Sequence, residues 1–197
     1  AYDSSEVVWE SFSNPGDTWL PSMKMWKGMK LTSWKSSVDP APGLFSLGMN
    51  PSPRKTEFLM LYNNSVPYWS SGEWAGDHFT NLPEMTTTKW YDLPFVKISP
   101  SRMHFTYVVQ PIIQMKKPVV ALHKSGETRN YFWIHDSNWS LMWSEPRDQC
   151  HVYGVCGSYG SCNNNNIQFC SCLEGFSVEN LQSYTTSNIK EINRILK

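Results

Sequence analysis

The chain has 197 residues, of which 40% are hydrophobic and 17% charged, with 17 Lys and Arg balancing 17 Asp and Glu. That composition supports one sizeable core plus a small satellite and excludes a disordered chain, and with no basic cluster beyond Lys116-Lys117 it excludes a nucleic-acid partner. No apolar run reaches the ~18–20 residues that cross a bilayer, so no membrane span is expected, and any secretory signal has to lie upstream of Ala1.

In chain order, strands and turns account for most of the sequence. Residues 7–12, 31–35, 44–49 and 57–62 read as strands, with proline and glycine punctuation in DPAPG and NPSP. In RMHFTYVV, Met103, Phe105, Tyr107 and Val109 alternate with Arg102, His104, Thr106 and Val108. Residues 119–123 and 129–134 continue the series, and in WSLMWS, Trp139, Leu141 and Trp143 alternate with Ser140, Met142 and Ser144. Period two suits half-buried strands, so the fold class is all-β, an antiparallel meander or barrel-like sheet. Only the tail reads as helix: Asn188 and Glu191 form a capping pair, and Ile189, Ile192, Ile195 and Leu196 recur at helical spacing. Such a short helix is marginal in water and must dock or fray.

Ten tryptophans raise the question of sugar stacking. Trp9, Trp34, Trp69, Trp74, Trp139 and Trp143 lie in strand-like words beside prolines and glycines, which favours a core role over a sugar platform. His78, His104, His123, His135 and His151 are scattered singly, so neither metal nor cofactor is expected. No G-x-S-x-G, G-x-G-x-x-G, H-R-D or D-F-G word is present, so hydrolase and kinase chemistry are not expected. Two unblocked sequons, Asn63-Asn64-Ser65 and Asn138-Trp139-Ser140, mark Asn63 and Asn138 as candidate N-glycosylation sites. At Asn138 the neighbouring Trp139 and Trp143 argue the other way, by holding that strand near the core.

All five cysteines fall in DQCHVYGVCGSYGSCNNNNIQFCSC, spaced C-x5-C-x5-C-x7-C-x-C among glycines. A stretch so short cannot bury enough apolar surface to hold its shape, so disulfides must close it, which places the chain outside the cytosol. Zinc modules bring paired ligands at C-x2-4-C spacing, which this run lacks. Spacing alone does not choose the connectivity.

The run resembles an epidermal-growth-factor-like module. That resemblance implies the pairs Cys150–Cys162 and Cys156–Cys170, with Cys172 as a fifth cysteine whose sixth partner is missing from the chain, leaving a free or intermolecularly paired thiol. Around it, WESFSNPGDTWLPSMKM, LTSWKSSVDPAPGLFSLGMNP, NNSVPYWSSGEWAGDHFTNLPEM, DQCHVYGVCGSYGSC and CSCLEGF occur in the order found in plant S-locus glycoproteins and G-type lectin S-receptor-like kinases. The likeness covers roughly residues 7–176, and several separated words in one order are far more specific than a single motif.

The resemblance implies four regions: residues 1–24 as the closing edge of an incomplete bulb-lectin-like domain, 25–149 as an S-locus glycoprotein domain, 150–176 as an incomplete EGF-like module, and 177–197 as a divergent tail. The chain departs from the family pattern in a short WKGMK stretch, in lacking the Q-x-D-x-N-x-V-x-Y mannose signature, in its tail and in having no kinase domain. The implied function is non-enzymatic recognition of a secreted peptide or protein, as in pollen recognition, with homo- or hetero-oligomeric receptor partners. Ligand contact is implied for loops near residues 77–89 and 124–137, with no individual contact residue named. The alternatives are a carbohydrate-binding lectin fragment and a truncated product without a partner.

Overall fold

The computed structural model describes residues 8–52, 54–86, 91–92, 95–99, 102–109, 118–134, 138–178 and 192–193. Among them regular structure is strand, with short 3-10 turns at Pro83–Thr86 and Gln149–His151 and no α-helix. The chain divides into two compact units, Ala1–Ser144 and Glu145–Lys197.

Among the described residues, three larger sheets and a two-stranded ribbon make the first unit. Strands β3 (Lys30–Trp34), β4 (Pro42–Met49), β5 (Phe58–Tyr62) and β6 (Val66–Ser70) follow one another as a meander. Strand β1 (Thr18–Trp19) joins β11 (Pro118–Leu122), β12 (Thr128–Ile134) and β13 (Asn138–Glu145) in a second sheet. The third contains β2 (Met25–Trp26), β9 (Arg102–Phe105) and β8 (Phe95–Ser99), and a two-stranded ribbon pairs β7 (Tyr91–Asp92) with β10 (Val108–Val109).

The sheets meet on an aromatic cluster. Phe58 of β5 lies 5.4 Å from Phe105 of β9 and 5.7 Å from Trp19 of β1, measured between ring centroids. Phe79 and Trp74 pack on Phe105 at 5.2 and 5.1 Å, mostly in edge-on or tilted geometry. Such pairs add to the area term, which dominates because Leu31, Met60, Phe105 and Leu122 are completely buried around them. The buried Tyr107 hydroxyl donates to the Trp19 carbonyl at 2.9 Å and to that of Pro118 at 3.2 Å, so its polar end is satisfied inside the core.

The strand readings match β3 to β5, β11 and β12, whereas the single alternating strand expected at 102–109 is split into β9 and β10, in different sheets, with His104 buried beside Met103, Phe105 and Tyr107. The reading also failed at 7–12: residues 8–10 have no regular structure and 11–13 form a turn. There Asn14 donates from its amide to the Ser11 carbonyl and from its side chain to that of Glu10, local bonds that compete with a strand ladder. The core role expected of the tryptophans also fails in part, since Trp9 is 66% exposed, Trp34 41% and Trp139 48%. Compact Phe and Tyr rings fill the core instead, with Trp19 the one buried indole among the described residues.

In the second unit β14 (Gly160–Cys162) pairs with β15 (Cys170–Cys172), and β16 (Ser177–Val178) with β17 (Ile192–Asn193). The helix expected in the tail is therefore absent at Ile192–Asn193, where extended backbone gains cross-strand hydrogen bonds that an isolated short helix cannot match. The rest of the expected helix lies outside the described residues.

Candidate recognition surface and disulfide frame

Local chain chemistry builds the disulfide frame. Asp148 caps the 3-10 turn by accepting from the Cys150 amide at 2.8 Å, which fixes Cys150 at its start. Cys162 and Cys170 are directly opposite each other in the β14–β15 ladder. Each bonds a separate partner, giving Cys150–Cys162 and Cys156–Cys170 with Cα separations of 5.6 and 5.4 Å. Gly160 permits this, because a Cβ there would sit 2.3 Å from the Cys156 carbonyl oxygen. Cys156 and Cys170 are the buried centre, surrounded by Val155, Phe169 and Phe176, and Tyr159 stacks on Phe176 at 4.2 Å.

The sulfurs of Cys156, Cys162 and Cys170 lie within 4.8 Å of one another. All three are consumed in bridges, so no thiolate remains for a metal. Cys172 carries no bridge and is half-buried, packed on the Cys156–Cys170 centre, rather than exposed as a frayed tail would leave it.

The two expected ligand loops are anchored differently. In residues 77–86, the Asp77 carboxylate meets His78 Nδ1 at 2.5 Å, and that hydrogen bond holds the Asp77 carboxyl below its ordinary range. Phe79 and Leu82 tether the segment to the core, and residues 87–89 lie outside the described residues. The second segment is a loop only in part: 128–134 is strand β12, with Thr128, Asn130 and Phe132 buried, and 135–137 lie outside the described residues. That corrects the expected loop to the turn at 124–127.

Partly buried polar groups that no sequence motif signalled hold this turn. His123 Nδ1 meets the Ser125 hydroxyl at 2.6 Å and accepts from the Ser125 amide, while Glu127 accepts from Arg129 Nη2 at 2.6 Å. Burial, reinforced by the Arg129 charge, pushes the His123 imidazole down to about 4, so it is neutral at ordinary pH. Only glycine suits position 126, because its φ is +88° and a Cβ would fall 2.7 Å from the Phe45 ring, and Tyr68 donates to its carbonyl at 2.7 Å. The only sequence hint was the Ser125-Gly126 pair between two strands.

A comparable network ties β5 to β6. The Glu57 carboxylate accepts from Asn50 at 2.6 Å and Ser70 at 2.5 Å. Burial pushes its carboxyl up, but these bonds and the Lys55 ammonium together hold it below its ordinary range.

Both sequon asparagines are exposed. Asn63 and Asn64 have φ of 47° and 56° at the tip of the β5–β6 hairpin, a left-handed pair that asparagine tolerates better than most residues. Lys30 holds the Asn64 side chain at 3.1 Å, and Asn63 is bound there through its backbone. Asn138 opens β13. An apolar cavity of about 550 Å³ in the first unit is lined by Phe12, Leu20, Pro21, Val109, Pro118, Val119 and Trp139.

An antiparallel β-fold ending in a small module closed by two bridges defines a disulfide-framed all-β chain. Residues 69–180 match the S-locus glycoprotein domain, and the chain belongs to that family. It is 37% identical over 182 residues to the G-type lectin S-receptor-like serine/threonine-protein kinase SD2-2 of Arabidopsis thaliana, covering 90% of this chain and 23% of that protein. It is 40% identical over 182 residues to the like-named kinase At2g19130 of the same plant, covering 88% of this chain and 21% of that one. The chain thus spans less than a quarter of the length of these curated relatives.

Proposed function

We propose that this chain is an extracellular ligand-recognition module of the S-domain receptor type, working by binding and without catalysis of its own. The observation that carries the reading is the alignment over about nine-tenths of the chain with receptor-like kinases, combined with a cystine frame suited to an oxidising compartment. The ligand is a secreted peptide or protein, of which pollen-type recognition is one case, and receptor homo- or hetero-oligomers are the partners. The contact surface comprises residues 77–86 and the turn at 124–127. Both segments join rigid strands through buried anchors, which is how recognition loops are ordinarily presented.

The test is binding of the secreted, folded chain to a panel of synthetic cysteine-rich peptides by biolayer interferometry. The expected result is saturable binding that Asp77→Ala and Lys124→Ala weaken without lowering the unfolding temperature. Binding to a glycan array, with none to peptides, would replace this reading by the lectin alternative.

A further inference from the structure

The sheet of β2, β9 and β8 turns outward a chemistry unlike the one it buries. Met23 and Met25 are buried, so the alternate residues Lys24 and Trp26 lie on the outer face, the first exposed and the second half-buried. In β9, Met103 and Phe105 line the core, which puts Arg102 and His104 on that same outer face, and the ladder sets Trp26 directly opposite His104. The three strands contain no aspartate or glutamate.

Trp26 is the centre of this patch. Its indole packs on the His104 imidazole with ring centroids 4.2 Å apart and planes tilted by 50°. The Arg102 guanidinium carbon lies over the same indole, 6.0 Å from its centroid, which keeps the planar donor fork preorganised for a carboxylate. His104 is buried, and its Nδ1 has no hydrogen-bond partner among the described residues, so what the ring offers Trp26 is its flat face. Burial, and then the nearby Lys24 ammonium, push the imidazole below its ordinary range, so it adds no charge of its own at pH 7. Two permanent cations and a half-buried indole, with no acid on their strands, match a carboxylate beside an apolar side chain. Arg102 takes the carboxylate through parallel N–H···O bonds, Lys24 adds a point charge, and the exposed part of the indole covers the apolar neighbour.

We propose that Lys24, Trp26 and Arg102 form a docking surface for an acidic segment of the secreted peptide or protein partner, with His104 as the positioning residue that holds the Trp26 ring. The surface lies on different strands from residues 77–86 and 124–127, and it rests on the recognition reading above by naming the chemistry of part of the ligand.

The experiment measures binding of two labelled synthetic peptides to the full folded chain by fluorescence anisotropy. One is a short peptide whose glutamates flank a phenylalanine, and the other has glutamine in place of each glutamate. The expected result is saturable binding of the glutamate peptide and at least about tenfold weaker binding of the glutamine one. Arg102→Gln should weaken the glutamate peptide about tenfold and Lys24→Gln about threefold, with Arg102→Lys recovering only part of the loss because it lacks the fork. Lys35→Gln, which removes an exposed charge elsewhere in the unit, should leave affinity unchanged. His104→Ala should weaken binding and His104→Phe, which restores a flat ring against Trp26, should recover it. Equal affinity for the two peptides, or an equal loss in Lys35→Gln and Arg102→Gln, overturns the proposal. If the glutamate peptide fails to bind while the cysteine-rich panel still binds, this proposal falls alone. If neither binds, the recognition reading falls with it.

Discussion

The two units hold their shape by different means. The first buries a continuous set of side chains around Phe58, Phe79, Phe105 and Trp19, and among its described residues nothing covalent crosses between strands. Among its described residues the second buries Pro146, Val152, Cys156 and Cys170 as its apolar residues, and two of those four are halves of one bridge. Packing suffices where the segment is long enough to bury whole aromatic rings, and cross-links take over where it is not.

The sharpest way to break this contrast is to remove one bridge. Cys156→Ser combined with Cys170→Ser should remove about 2–5 kcal/mol and unfold residues 150–176 while leaving the sheets intact. Chymotrypsin reads this directly, since Tyr153, Tyr159 and Phe169 should become cleavable. The converse change, Phe105→Ala, should cost the first unit about 3–5 kcal/mol in denaturant unfolding through the cavity it leaves, with both bridges still formed on a mass map.

Acidification should also separate the two. His123 is depressed to about 4 in the fold against 6.5 when free, so the unfolded state takes up its proton first. Its contribution is fully present above about pH 6.5 and is lost as pH falls through about 4, weakening the first unit by about 2 kcal/mol after allowing for partial exposure of the ring. His123→Gln should flatten that part of the stability curve, which thermal unfolding at stepped pH measures. Smallest of all is Cys172→Ser: with the thiol packed on a bridge formed without it, unfolding should move by no more than about 0.5 kcal/mol, and the parent should alkylate slowly until reduced.

Much of this contrast was legible in the residues. The strand reading at 129–134 holds because Asn130 and Phe132 face the core from one side of β12, alternation at 102–109 marked extended chain without registering that His104 is buried too and that the run breaks after Phe105, and the cysteine run marked a cross-linked module because no apolar residues compensate for its glycines. The pairing itself came from family resemblance, and the structure brings the same four cysteines together. Trp139 and Leu141 misled, because alternation gives the two faces of a strand without saying whether anything lies beyond the outer one. The His123–Ser125–Glu127–Arg129 turn was not readable, since its partners are set by the hairpin's closure rather than by a motif. Ile192 misled for a related reason: helical spacing does not register the strand at Ser177–Val178 waiting to pair with it.

The central claim, that cross-links hold the second unit and packing the first, is tested most directly by amide hydrogen exchange with and without reductant. The account predicts that reduction strips protection from residues 150–176 and leaves strands β3–β5 and β11–β12 unchanged. Retained protection in 150–176 after complete reduction, or parallel loss in both units, would contradict it.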